Sequence, residues 1–135
     1  MPTLTLKLAA PRDPERDQAL ATALTNITAG TLGKRAEVTA VLIEELPATR
    51  WFVGARAVQR PTALLEISIT EGSNTAAQKA AFIKAAFAEL QGRIAPGASL
   101  EEASYVIVRE LPATDWGYGG QTQQARLALR QRQGL

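Results

Sequence analysis

One loop is written twice in this chain, and the repeat constrains the fold more than any other feature. LPATRWFVGA occupies 46–55 and LPATDWGYGG occupies 111–120, 65 positions apart in a chain of 135 residues. Two copies of one unit must therefore share a core, because a unit of half this length buries too little surface to stand alone. Hydrophobic residues make up 46% of the chain, enough for that single core.

The segments before each loop repeat as well. TLTLKL (3–8) alternates Leu4, Leu6 and Leu8 against Thr3, Thr5 and Lys7, which predicts a half-buried strand. Asp13, Pro14 and Glu15 read as a helix start, with Ala19, Leu20, Ala23, Leu24 and Ile27 as its apolar stripe and Gly30 or Gly33 as its stop. A second strand over about 37–45 carries an apolar run that predicts burial on both faces. The order then returns: LLEISIT (64–70) as a strand, Thr75 and Gln78 as a capping box, and a helix to about Leu90. Ile83, Ala86, Phe87 and Leu90 are its expected stripe. Ser99 and Glu102 suggest a short capped turn before the strand SYVIVREL (104–111).

Strand–helix–strand, twice, predicts an α/β (α+β) fold of two right-handed βαβ units. They join in a four-stranded, mostly parallel sheet with both helices on one face. The expected organisation is a single domain over 2–135, with units of about 2–60 and 61–120. A polar tail follows at 121–135, with three arginines, that wraps a neighbour or frays. One sheet face is left without cover, so a homo-oligomer is expected. The tryptophans of the two loops, Trp51 and Trp116, either close the ends of the core or wall a pocket. Arg50 and Asp115 hold matching positions with opposite charge, and either bridge the units or make their ends differ.

Neither cysteine nor histidine occurs, so disulfides, thiol chemistry, imidazole catalysis and metal sites using those ligands are excluded. A net charge of +2, with scattered positive residues, argues against a nucleic-acid interface. No apolar run is long enough to span a membrane, and the start MPTLTLKLAAPRD lacks a secretory signal, so the cytoplasm is the expected compartment. An enzyme built from this chain needs a base other than histidine. Pro2 can supply one: the small ring permits removal of Met1, leaving a secondary amine at the head of a strand. An apolar setting and nearby cations would bring such an amine toward neutrality, where it can act as a general base.

With Pro2, Arg12 ten positions later and the two W-x-x-G loops, the layout resembles the tautomerase superfamily. It is most similar to the fused form, in which two short 4-oxalocrotonate-tautomerase-like units make one chain. The resemblance covers residues 2 to about 120 and implies a cofactor-independent isomerase, assembled as a trimer, acting on a small 2-keto or enol carboxylate. It implies Pro2 as catalytic base and acid, Arg12 as the partner of the substrate carboxylate and Trp51 as an aromatic wall. A second arginine of the short members aligns with Ala40. In the second unit Tyr105 takes that place, Arg109 lies further along the strand, and Arg50 is a candidate substitute. Trp116 and these second-unit residues are candidates for a pocket contribution, including from a neighbouring subunit. The stretch Thr70–Ser73 is similar to a turn where the cis-3-chloroacrylic acid dehalogenases carry arginines, and Gly117 stands where they carry a glutamate. Tautomerisation is therefore the favoured reading. A hydratase or dehalogenase of unsaturated acids and a non-catalytic oligomeric binding protein are the alternatives.

Overall fold

A computed structural model describes residues 2–134; Met1, whose removal the sequence predicts, and Leu135 at the end of the tail lie outside them. β1 (Thr3–Ala9) leads into α1 (Pro14–Leu32). Asp13 caps that helix by accepting the Arg16 N–H at 3.0 Å. Of the two candidate stops, Gly33 ends it, in a left-handed conformation (φ 68°) that glycine adopts without a Cβ penalty. β2 (Ala40–Glu45) and a short hairpin, β3 (Phe52–Val53) and β4 (Arg56–Ala57), complete the first unit. β5 (Thr62–Thr70), α2 (Ala76–Ile94), β6 (Tyr105–Leu111) and the hairpin β7 (Gly117–Tyr118) and β8 (Gln121–Thr122) repeat it, and α3 (Gln123–Arg132) ends the chain.

The main sheet runs β2-β1-β5-β6. The outer pairs are parallel and the central pair, β1 with β5, is antiparallel. Thr3 faces Ser68 and Ala9 faces Thr62, so the start of β1 lies beside the end of β5. Because β6 runs with β5, the second LPAT loop also emerges at the start of β1.

Leu4, Leu6, Leu8, Leu65, Ile67 and Ile69 project from one sheet face into the core, where Leu20 and Leu24 of α1 and Phe82 and Leu90 of α2 meet them. The α2 stripe differs from the expected one. The helix continues to Ile94 and buries Phe82, Ala86, Leu90 and Ile94 at strict four-residue spacing. Ile83 and Phe87 are 39% exposed, on the shoulder of that stripe. In α1 the buried line is Leu20, Leu24, Thr28 and Leu32, the Thr28 hydroxyl being satisfied by the Leu24 carbonyl at 2.7 Å. The capping box forms as expected, with Thr75 and Gln78 each satisfying the other's backbone N–H. No capped turn forms at Ser99 and Glu102. The Gln91 side chain organises that loop instead, bonding Ala98 O and Leu100 N.

β2 is not buried on both faces. As an edge strand it packs Val41 and Ile43 against the core and leaves Leu42 56% exposed on the helix-free side. Register places Leu42, Thr5, Glu66 and Ile107 in one row across that open face. Glu44, Lys7, Leu64 and Tyr105 form the next row, and Ala40, Thr3, Ser68 and Arg109 the row toward Pro2. The row through Leu42 and Ile107 is thus polar in the middle and apolar at both margins, while Glu44 and Arg109 bring charge to the margins of the other two. The tail neither trails nor lacks structure: α3 is capped by Thr122 and docks on its own hairpin, Arg126 lying 3.7 Å over the Tyr118 ring. Among the described residues no helix is long and apolar enough to cross a membrane.

Candidate active site

Pro2 directly precedes β1. Its ring is buried, and its carbonyl accepts the Ala40 N–H at 3.3 Å, which ties the strand start to β2. Pro61 holds the matching place before β5, its carbonyl accepting from Glu101 N–H at 2.8 Å. The Pro61 nitrogen is an internal amide with no basic lone pair, so only the Pro2 end can offer an amine.

The antiparallel centre decides which candidate residues share that end. Arg12 follows the far end of β1, and Arg50 and Trp51 follow the same end of the parallel β2. Tyr105 begins β6 beside Leu64, again at that far end. β1 spans about 20 Å at the usual rise per residue. A single chain therefore does not bring Arg12, Arg50, Trp51 or Tyr105 to Pro2. Trp116 does share the Pro2 end, since it follows β6. Arg109 lies on the open face near that end, where its guanidinium meets Glu66 at 3.1 Å. Arg50 and Asp115 stand at opposite ends of the sheet, so the bridge between units does not form; Asp115 accepts from the Thr114 hydroxyl instead.

Both loops close with tight two-residue turns. Gly54 and Ala55 have φ of 58° and 65°, and Gly119 and Gly120 have φ of 62° and 80°. Such paired positive values match the twist of a hairpin. Trp116 accepts the Gln123 N–H on its carbonyl at 2.9 Å, while its indole N–H is buried with no acceptor among the described residues. The neighbouring Gly117 is required by close approach: a Cβ there would collide with the Gln121 carbonyl and come 2.8 Å from Thr122 Cα. No side chain, glutamate included, fits at 117 without moving the hairpin. Gly117→Ala is accordingly expected to cost about 1–3 kcal/mol in denaturant unfolding, by overpacking. Gly30→Ala, in a helix with open space around it, should cost nothing by the same measurement.

A cavity of about 400 Å³ opens at the Pro2 end, between the α1–β2 loop, the β5–α2 turn and α3. Lys34, Arg35, Thr70, Ser73, Tyr118 and Arg130 are among its walls, and no acidic residue is among the described ones. Lys34 Nζ donates to Ser73 Oγ at 2.9 Å, and burial pushes its ammonium below the ordinary lysine value. Arg35 is paired with Glu37 at 2.9 Å. Sequence reasoning passed over Lys34 and Arg35, adjacent residues that belong to no motif, and Arg130, far from them in the chain. Among the described residues no cluster of three or more His, Cys, Asp or Glu is placed to hold a metal ion.

The model of the family described as Tautomerase enzyme matches residues 2–59. No curated protein matches the chain. Among solved structures, a fused 4-oxalocrotonate tautomerase described as an asymmetric trimer is 31% identical. It covers 92% of this chain and 98% of its own, with a TM-score of 0.80. A native fused 4-oxalocrotonate tautomerase is 32% identical over 91% of this chain and 97% of its own, with a TM-score of 0.77. A macrophage migration inhibitory factor-like protein from Entamoeba histolytica shares the fold at 17% identity, covering 90% of this chain and 97% of its own with a TM-score of 0.71. The match over 2–59 and the full-length likeness beyond it agree with the doubled βαβ architecture and the proline at its head: the chain belongs to the tautomerase superfamily, in its fused 4-oxalocrotonate tautomerase-like branch.

Proposed function

We propose that this tautomerase interconverts the enol and keto forms of a small 2-keto carboxylic acid, with the Pro2 amine as proton carrier after removal of Met1. The observation that carries this reading is the setting of Pro2. It is buried, pinned by its carbonyl, and placed at the end of the sheet where a cation-lined cavity opens. The neutral amine takes the enol proton, and the resulting ammonium returns a proton to carbon 3, so charge and protons balance over one turnover. A cationic side chain holds the carboxylate, as a charge-assisted hydrogen bond requires.

The assembly is proposed to be a homotrimer, like the fused relatives solved as trimers. The open sheet face supports it. Arg12, Arg50, Trp51 and Tyr105 can then meet a Pro2 only across a subunit boundary, while Trp116 comes from the same chain. The enzyme is a single domain of units 2–60 and 61–120 with a tail, 121–135, whose helix α3 packs on the second unit, and we place it in the cytoplasm. Hydratase or dehalogenase chemistry has less support, because Thr70 and Ser73 carry no charge and Gly117 admits no carboxylate side chain.

Phenylenolpyruvate ketonisation, followed alongside intact mass, tests the role of the amine. Turnover should scale with the fraction of chains lacking Met1, and a chain extended at its N-terminus, whose Pro2 nitrogen is an amide, should show none. Equal turnover by the extended chain overturns the reading.

A further inference from the structure

Of the cations the sequence nominated for the carboxylate, Arg12 and Arg50 stand at the wrong end of their own sheet and Arg109 is paired with Glu66 on the open face, while others stand at the right end unpaired. Lys34 leaves the end of α1 and reaches the β5–α2 turn, where Ser73 Oγ fixes its ammonium. Among the described residues that neutral hydroxyl is the only partner of its ammonium, and Lys34 makes no ion pair. Arg130 reaches the same cavity from α3, together with Leu127 one turn earlier. It is half-buried, and its side chain makes no hydrogen bond or ion pair among the described residues.

Arg126 and Arg130 divide their work. Arg126 is spent on the hairpin, donating to Tyr118 O at 3.0 Å while stacking on its ring. That contact seats α3, and one turn on, Arg130 is carried over the cavity with its fork unspent. Arg35 is already neutralised by Glu37. Two uncompensated cations thus share a partly enclosed space of about 400 Å³ whose described walls carry no acid. A ligand-sized pocket of that kind selects an anion. Its place relative to Pro2 follows from the register. Thr70, on its wall, extends β5 two residues past the partner of Thr3, and Val38, also on its wall, precedes the Ala40 N–H that binds the Pro2 carbonyl.

We infer that Lys34 and Arg130, from the same chain as Pro2, form the carboxylate site of this enzyme, so that the C-terminal helix is part of its active site and Arg12 is not the carboxylate partner. This rests on Pro2 being the proton carrier, and it assigns the substrate's anchor rather than its chemistry. The acid would lie with one carboxylate oxygen on Lys34 Nζ and the other on the Arg130 guanidinium, its reacting carbons directed toward Pro2.

The test separates charge from shape, and anchoring from turnover. Binding of 3-phenylpropionate, an acid that cannot enolise to product, and of its uncharged amide is measured by calorimetry on the mature full-length protein. The proteins compared are wild type, Lys34→Met, Arg130→Gln and Arg12→Gln. Loss of one charged hydrogen-bonding partner should weaken the acid by about 10- to 100-fold in each of the first two variants. The amide should bind all four alike, Lys34→Arg should restore most of the acid affinity, and KM for phenylenolpyruvate should rise more than kcat falls. Acid binding unchanged in Lys34→Met and Arg130→Gln but lost in Arg12→Gln overturns the assignment and gives the anchor to a neighbour's Arg12. Equal weakening of acid and amide also overturns it, since the side chains then only shape the cavity. Wild type that binds no acid does the same. A wild type that binds the acid through Lys34 yet turns over no enol leaves the site standing and removes the proline chemistry instead.

Discussion

Pro2→Ala should lower kcat for phenylenolpyruvate by about 100- to 10,000-fold, the usual contribution of a positioned proton carrier, with KM little changed. Alanine at position 2 still permits removal of Met1, so the variant keeps an amine at the same place in the chain. What it loses is the ring. The pyrrolidine ring ties the terminal nitrogen back to Cα, leaving a secondary amine whose direction is fixed relative to the backbone. The alanine amine is a primary ammonium that rotates freely and is better hydrated. The pinning bond runs through the carbonyl of residue 2 to Ala40 N–H, so β1 keeps its register in the variant. A ring that served only to pack the start of β1 gives the reverse result: a lower thermal midpoint and an unaltered rate. Rate and melting measured on the same sample, with intact mass confirming the new terminus, decide between these.

Much of the fold was legible because its local signals agree. The alternation of Leu4, Leu6 and Leu8, the Asp13 and Thr75 caps and the doubled loop all point to two βαβ units, and each forms. What was not legible is the direction in which the units meet. Parallel strands within each unit follow from the helical crossover, but nothing in TLTLKL or LLEISIT says whether β1 and β5 run together or opposed. Matched repeats related by a pseudo-twofold must oppose their central strands, as two copies of one patch do in an isologous pair. That single fact puts Trp116 at the Pro2 end of the sheet and carries Trp51 and Arg12 to the other end, about 20 Å away. It also explains why Lys34 and Arg130 escaped notice. Each is an ordinary surface cation in its own segment, and only the docking of α3 through Arg126 and Tyr118 brings them to one cavity. The shifted α2 stripe has a more local cause. Ile83 and Phe87 are apolar and adjacent to buried positions, but α2 packs on α1 as well as on the sheet, and the line facing both is the one through Phe82 and Leu90.

Ile107→Glu is expected to take the assembly apart while leaving the protomer folded. Ile107 is 36% exposed in the single chain, Leu42 56% and Tyr105 60%, all on the face that no helix of this chain covers. Glu66 lies directly opposite Ile107 in the register, so the new carboxylate meets a like charge across the strand pair. Within an isolated protomer both groups remain in water and the cost is small. Across an interface the change removes the burial of an isoleucine, about 1.5–3 kcal/mol, and adds the several kcal/mol of a buried, unpaired carboxylate. A closed trimer suffers this three times, which puts the loss in assembly beyond ~1,000-fold. Analytical ultracentrifugation should find wild type at a multiple of 14.4 kDa and the variant at 14.4 kDa, with the far-ultraviolet spectrum of a folded chain. Turnover should fall with the mass, since Trp51 stands at the far end of its own sheet and can wall a Pro2 pocket only from another copy. A variant that dissociates but keeps its rate places the whole pocket in one chain, with Trp116 as its wall and Lys34 and Arg130 as its cations. A variant that stays assembled shows that the copies meet elsewhere, and the open face is then left to solvent.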